Sequence, residues 1–222
     1  MKIGVILPTF RADAASVLER AGRVSDLGLD GVFAYDHLFP PGEPERPSLS
    51  PFPLLSAVAA REERLVLGPL VARVGHGSPK HISASVRALE ILAPGRVRCA
   101  LGVGDAQARL EMAAFGLVTT SVSERRDELA TIARSLDVPV WIGGKSEALV
   151  ALADQLGAAL NLWQSPLGEV ERWASTREVT WAGVAPDDVE PWLDALATAG
   201  VSWCVVTSRT SLERLAAWSA RR

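Results

Sequence analysis

Residues Gly95-Arg96-Val97-Arg98-Cys99-Ala100-Leu101-Gly102-Val103-Gly104-Asp105 read as a buried strand running into a glycine-rich turn, with a helix opening at Asp105 and carrying Ala106 to Phe115. A short apolar run bounded by glycines is a strand signal. A Gly-x-Gly turn that feeds a helix lets backbone N–H groups approach a ligand, at the end of the helix where the dipole favours negative charge. The stretch is therefore a strand–turn–helix unit with anion-binding chemistry at its turn. It reads as the phosphate end of a cofactor site.

The same unit recurs along the chain. Strands are predicted over 3–7, 32–35, 65–71, 97–102, 138–142, 159–163 and 179–184, with a last one centred on Val205 and Val206. Helices are predicted over 13–27, 54–62, 79–92, 105–115, 124–136, 146–156, 167–175, 186–199 and 211–220. In the first of these Val17, Leu18, Ala21, Val24 and Leu27 share one face at helical spacing. Pro186 is taken as the opening residue of the 186–199 helix. Eight strand–helix units close a (β/α)8 barrel, which typically needs about 250 residues and has a lower limit near 200. The chain, at 222 residues, is expected to be one α/β domain over 1–222, a trimmed (β/α)8 TIM barrel. A doubly wound open sheet has the same alternation and stays the alternative at this point. No linker, low-complexity tract or close internal repeat divides the sequence.

Composition narrows the function. The chain is 48% hydrophobic and 22% charged, enough for one sizeable core. A net charge of -3 gives no electrostatic footprint for nucleic acid or an anionic membrane. No apolar run reaches membrane-span length. The apolar N-terminus stops at Pro8, too short for a signal peptide. Cys99 and Cys204 each sit in a strand-like run and read as buried thiols. These features point to a cytoplasmic protein.

In a barrel the chemistry lies at the C-terminal ends of the strands. The second strand ends in Tyr35-Asp36-His37-Leu38-Phe39. A carboxylate beside an imidazole can hold the ring in one tautomer for proton transfer, or the pair can be a plain turn. The loop that follows, 39–53, holds six of the chain's 14 prolines and covers the site end of the strand. Arg73, after the third strand, reads as a surface cation rather than an anion ligand. His76, Lys80 and His81 lack a matched carboxylate or cysteine, so no metal site is expected.

As a dinucleotide fingerprint the Gly102–Gly104 turn fails, because the third glycine position is Gln107. The fifth strand gives Trp141-Ile142-Gly143-Gly144-Lys145-Ser146, but a Walker motif needs glycine where Pro139 stands. In a barrel the fourth and fifth strands are neighbours, and their two turns can grip one extended anionic ligand. Each can equally be a structural turn. Trp141 and Trp163 can face a ring-shaped ligand or pack the core.

Taken together, several segments resemble the bacterial-luciferase-like flavin and deazaflavin (F420) oxidoreductases. They are Gly31 through Phe39, Glu63 through Val71, Gly95 through Asp105, Ala114-Phe115-Gly116, Pro139 through Gly144, and Asn161-Leu162-Trp163, in family order. The resemblance implies a (β/α)8 barrel with a cofactor ring near the axis and a phosphate tail between the fourth and fifth strands. It puts His37, held by Asp36, in the place of an acid–base histidine. It puts Gly104, Asp105, Ala106 and Gln107, and Gly143, Gly144, Lys145 and Ser146, in the places of tail-binding loops. Leu70 and Val71, followed by Ala72, take the place of a non-proline cis peptide that supports the ring.

The sequence also departs from the family. Its long insertion before the fifth strand is essentially absent, since Leu136-Asp137-Val138 leads straight into that strand. The glutamate used by the family's sugar-phosphate dehydrogenases aligns with Gln107, which argues against that substrate. Ser78-Pro79 replaces the usual His-Pro. The reading is an F420-dependent oxidoreductase acting on a small organic substrate, with His37 moving a proton. The alternatives are an FMN-dependent monooxygenase supplied with reduced flavin by a partner reductase, or a non-catalytic flavin-binding barrel. A homodimer is a further expectation from the resemblance.

Overall fold

The computed structural model describes residues 1–75 and 78–221, and of 106 and 107 the backbone only. In chain order the elements are β1 (Lys2–Ile6), α1 (Ala15–Asp26), β2 (Gly31–Ala34), α2 (Pro51–Ala59), β3 (Val66–Pro69), β4 (Ala72–Arg73), α3 (Pro79–Leu92), β5 (Cys99–Gly102) and α4 (Ala106–Ala114). They continue with α5 (Val122–Arg134), β6 (Val140–Gly143), α6 (Glu147–Leu156), β7 (Ala159–Trp163), α7 (Leu167–Ala174), β8 (Val179–Gly183), α8 (Val189–Thr198), β9 (Trp203–Val206) and α9 (Leu212–Ser219). All strand pairs are parallel, in the order β3-β2-β1-β9-β8-β7-β6-β5-β4. The first strand pairs with both the second and the last. That pairing wraps the sheet into a nearly closed TIM-like barrel and removes the open doubly wound sheet.

The two ends of the strand order, β3 and β4, are consecutive in the chain. The expected strand over 65–71 is in fact broken at Leu70–Val71, whose peptide bond is cis. Below the break, β3 pairs with β2, and Leu67 bridges to Val97. There the Leu67 N–H donates to Arg96 O at 2.9 Å and the Arg98 N–H to Leu67 O at 3.0 Å. Above the break, β4 takes over the pairing with β5. Two short strands thus fill one of eight positions around the barrel. Sequence also misplaces two helix starts. The α2 helix opens at Pro51, inside the proline-rich segment, and α8 at Val189, so Pro186 precedes its cap. Proline is compatible with a first turn because its missing N–H has no partner there.

The seam depends on Gly68. A β-carbon there would lie 1.7 Å from Arg98 O. The obstacle is backbone of the neighbouring segment and no rotamer relieves it. Gly68→Ala is expected to destabilise the fold by about 3 kcal/mol or more. Gly168→Ala, in α7 with nothing within 4 Å of the new atom, should be neutral or stabilise by up to about 1 kcal/mol. Urea denaturation midpoints of the two variants check the contrast.

Strand alternation divides the apolar residues into two cores. The larger lies between sheet and helices. The smaller fills the barrel lumen with Ile6, Phe33, Ala100, Trp141, Ala182, Trp203 and their neighbours. Phe33, Trp141 and Trp203 meet there with ring centroids 5.2 to 5.8 Å apart. Large rings on some strands face small residues on others, and a β-carbon at Gly4 would sit 2.8 Å from Phe33. The three rings plug the lumen and form a floor beneath the mouth. Both cysteines are free and fully buried, and burial pushes the Cys99 thiol up to about 12. No helix among the described residues is long and apolar enough to cross a membrane.

Candidate functional site

The residues two positions above the lumen plug, on the same face of each strand, build the site. Above Ala100 comes Gly102; above Trp141, Gly143; above Ala159, Asn161 and then Trp163; above Phe33, Tyr35 and then His37. Glycine at two of these positions makes room for the Val71 side chain, which packs against both. These positions line a cavity of about 580 Å³, within the range that holds a cofactor-sized ligand. Phe10, Tyr35, His37, Val71, Gly143 and Trp163 are among the residues that line it. Tyr35 stands between Phe10 and Trp163, 5.9 Å from each ring, and 5.9 Å from His37. One wall is therefore aromatic. Burial pushes the Tyr35 phenol up to about 12, so it stays neutral.

The charged centre is a buried relay. Glu111, fully buried on α4, places Oε1 2.6 Å from His37 Nδ1. Its Oε2 accepts from the Leu38 N–H at 2.8 Å and from Arg73 Nη2 at 2.6 Å. Burial pushes the Glu111 carboxyl up, but these three hydrogen bonds and the Arg73 charge outweigh it and hold the group below the usual carboxylate range. An ionised carboxylate only accepts, so Nδ1 of His37 carries the proton that binds it. Nε2 is then the ring nitrogen without that proton, on a side chain that is 24% exposed and lines the cavity. Local sequence explains the carboxylate's position. Ala108, Glu111 and Met112 share the buried face of α4, which is the i, i+3, i+4 pattern of an inward helix stripe.

Two sequence expectations change here. The carboxylate that holds His37 is Glu111, not Asp36. Asp36 Oδ2 accepts from the Arg73 backbone N–H at 2.9 Å, fixing β4 just beyond the cis bond. Arg73 is no surface cation; it is 4% exposed and ion-paired to Glu111. A buried guanidinium demands a carboxylate partner, and Glu111 meets that demand.

Of the positions expected to hold a cofactor, Leu70, Val71, Gly104, Asp105, Gly143, Gly144, Lys145 and Ser146 line the one cavity. Ala72 does not. Alternation turns its side chain into the core beneath the helices, while Val71 and Arg73 face the mouth. The side chains of Ala106 and Gln107 lie outside the described residues, as does His76. His81 and Lys80 are exposed on α3. Among the described residues no group of three potential metal ligands comes together. The two glycine turns lie on neighbouring strands, since β5 and β6 pair through Cys99–Val140, Ala100–Trp141 and Leu101–Ile142. They are not equivalent. At α4 the Asp105 side chain itself accepts from the Ala108 N–H at 3.0 Å. At α6 no side chain caps the helix start, and Lys145 stands beside it, paired to Glu169 at 3.0 Å.

The floor fits a flat ligand. Val71 packs so closely under Gly102 and Gly143 that a β-carbon on either would come within 2.9 Å of it. Gly104 and Gly144 have φ of +74° and +126°, which side-chain-bearing residues rarely adopt. Four backbone positions are thereby kept bare along one side of the cavity. Trp141 belongs to the lumen plug, whereas Trp163 is 46% exposed at the mouth and available to a ring.

The chain is thus a parallel barrel with its cavity over the strand ends and the cis Leu70–Val71 peptide in the cavity's lining. The family model described as luciferase-like monooxygenase matches residues 1–130. The chain belongs to that family. Among solved structures it is similar to an F420-dependent secondary alcohol dehydrogenase in complex with an F420-acetone adduct, with a TM-score of 0.82 at 14% identity over 100% of this chain and 99% of that one. It is similar also to the coenzyme F420-dependent tetrahydromethanopterin reductase of Methanopyrus kandleri, with a TM-score of 0.75 at 12% identity over 99% and 97%. A third is the oxygenating constituent of 3,6-diketocamphane monooxygenase from Pseudomonas putida in complex with FMN, with a TM-score of 0.64 at 15% identity over 92% and 66%. No curated protein matches the sequence.

Proposed function

We propose that this chain is an F420-dependent oxidoreductase acting on a small, uncharged organic substrate such as an alcohol or its carbonyl. The observation that carries the reading is the hydrogen-bonded His37–Glu111–Arg73 set, with His37 in the wall of a cavity that the glycine turns also line. F420, when bound, supplies a carbon that gives or takes a hydride. The protein's task is to bind, orient and move the proton that accompanies it. Leu70 and Val71 support the flat ring. Gly143 through Ser146 offer backbone donors, an uncapped helix start and a lysine to the anionic tail, with Gly104 and Asp105 along its other side. His37 Nε2 accepts the hydroxyl proton as an alcohol is oxidised, or returns it as a carbonyl is reduced, and Glu111 stabilises the imidazolium in between. The aromatic wall of Phe10, Tyr35 and Trp163 excludes water and suits an apolar substrate.

Two structural neighbours whose names carry F420 match this chain along nearly all of both lengths, which favours the deazaflavin. Fluorescence titration of the purified protein with F420 and with FMN tests it. The expected result is saturable F420 binding at least about tenfold tighter than FMN, a difference of about 1.4 kcal/mol. Preference for FMN, with oxygen consumed when reduced FMN is added, would instead support the monooxygenase reading that the family description favours. Failure of both ligands would leave a barrel without this chemistry.

A further inference from the structure

Beneath the start of α4 a second, smaller crevice of about 20 Å³ opens beside the large cavity and shares Arg73, Val103 and Asp105 with it. Its remaining polar walls are Thr119, Thr120 and Arg125, with Thr119 and Arg109 exposed at its edge. Arg125 is 7% exposed and tightly held. Its Nε donates to Val103 O at 2.7 Å, its Nη1 donates to Thr120 O, and its stem runs under Gly75, where a β-carbon would sit 2.9 Å from Cδ. Yet no carboxylate lies within ion-pair distance of this guanidinium among the described residues. The crevice's one carboxylate, Asp105, is exposed and engaged with the Ala108 N–H. The Thr120 hydroxyl oxygen is enclosed and has no hydrogen-bond partner among the described residues. A buried cation held by neutral carbonyls alone is costly. A buried hydroxyl without a partner adds to that cost. Both are relieved by one acceptor carrying negative charge.

We propose that this crevice binds a single inorganic monoanion of halide size, held by Arg125 and the Thr120 hydroxyl with Arg73 on its far wall. The volume decides the class. It admits about one water-sized sphere, the scale of chloride or bromide and small for a whole phosphate or flavin tail. The site is separate from the glycine turn at α6 and does not depend on which cofactor the large cavity takes.

The test uses the full chain without cofactor. Crystals soaked in sodium bromide are measured at the bromine edge, and chloride is titrated against sodium gluconate at constant ionic strength while the 35Cl linewidth is followed. The expected result is an anomalous peak between Arg125 and Thr120 and saturable broadening in solution. Thr120→Val should need about tenfold more chloride, the loss of one hydrogen bond to a charged group. Arg125→Met should abolish saturation. If circular dichroism shows Arg125→Met unfolded, the Thr120→Val shift decides alone. No peak at the crevice overturns the proposal. So does a peak accompanied by equal broadening in wild type and Thr120→Val, which would mark binding at crystal concentration only.

Discussion

His37→Asn should lower kcat about 10²- to 10⁴-fold, the usual worth of a positioned acid–base group, while F420 affinity changes less than about threefold. The split follows from the geometry. His37 offers the cavity one edge of its ring, from the β2 side, whereas the proposed tail contacts gather on the turns after β5 and β6. Asparagine keeps a polar side chain whose amide can still reach Glu111, so the relay retains a donor and the fold its buried pair. What it lacks is an imidazole nitrogen that can both take and give a proton. Steady-state turnover with a panel of secondary alcohols, beside fluorescence titration with F420, separates the two quantities. A variant that turns over within threefold of wild type would remove His37 from proton transfer. A variant that loses cofactor affinity in step with kcat would make it a binding residue instead.

Much of this was legible in the sequence, and for definite reasons. Eight apolar runs separated by amphipathic stretches fix the number of units, because buried parallel strands and one-sided helices leave different periods. The neighbouring turns at Gly102–Gly104 and Gly143–Gly144 stand out because glycine at a strand end marks open backbone. The broken third strand was not legible. From Leu65 to Val71 the chain reads as one apolar run, and only the seam, where Gly68 meets Arg98 O, shows that two strands share the position. Adjacency in sequence pairs Asp36 with His37, yet neighbours in an extended segment point to opposite faces. The burial of Arg73, which reads as a surface cation, and the role of Glu111 are hidden for a different reason. Each looks like a surface charge when read alone, and their pairing spans 38 residues. The available signal was a glutamate on the same helical face as Ala108 and Met112, one turn beyond Gln107. A charge on an apolar stripe calls for a distant partner of opposite sign.

That pair gives the second large effect. Glu111→Gln should cost about 3 kcal/mol of folding stability at pH 7, the lower part of the range for breaking a buried ion pair. Among the hydrogen bonds of the described residues, three donors converge on the native carboxylate: the Leu38 N–H, His37 Nδ1–H and Arg73 Nη2–H. A glutamine has one acceptor oxygen and turns an NH₂ group toward one of those donors, so at least one native hydrogen bond is lost and Arg73 faces a neutral group in place of this carboxylate. The pH dependence follows from the sign of the shift. The Glu111 carboxyl is held below the usual range in the folded chain, so its contribution is complete above the unfolded value of about 4.3. It is lost as pH falls through the lower folded value. Urea denaturation should therefore show the full gap between wild type and Glu111→Gln at pH 7 and a smaller one at pH 3. Turnover should fall on the order of 10²-fold or more, because an amide donor against Nδ1 selects the tautomer whose proton sits on Nε2. Glu111→Asp, too short to reach both sides, should recover charge and part of the stability but little of the rate. Equal stability of wild type and Glu111→Gln at both pH values would mean that the buried carboxylate neither supports the fold nor sets the imidazole.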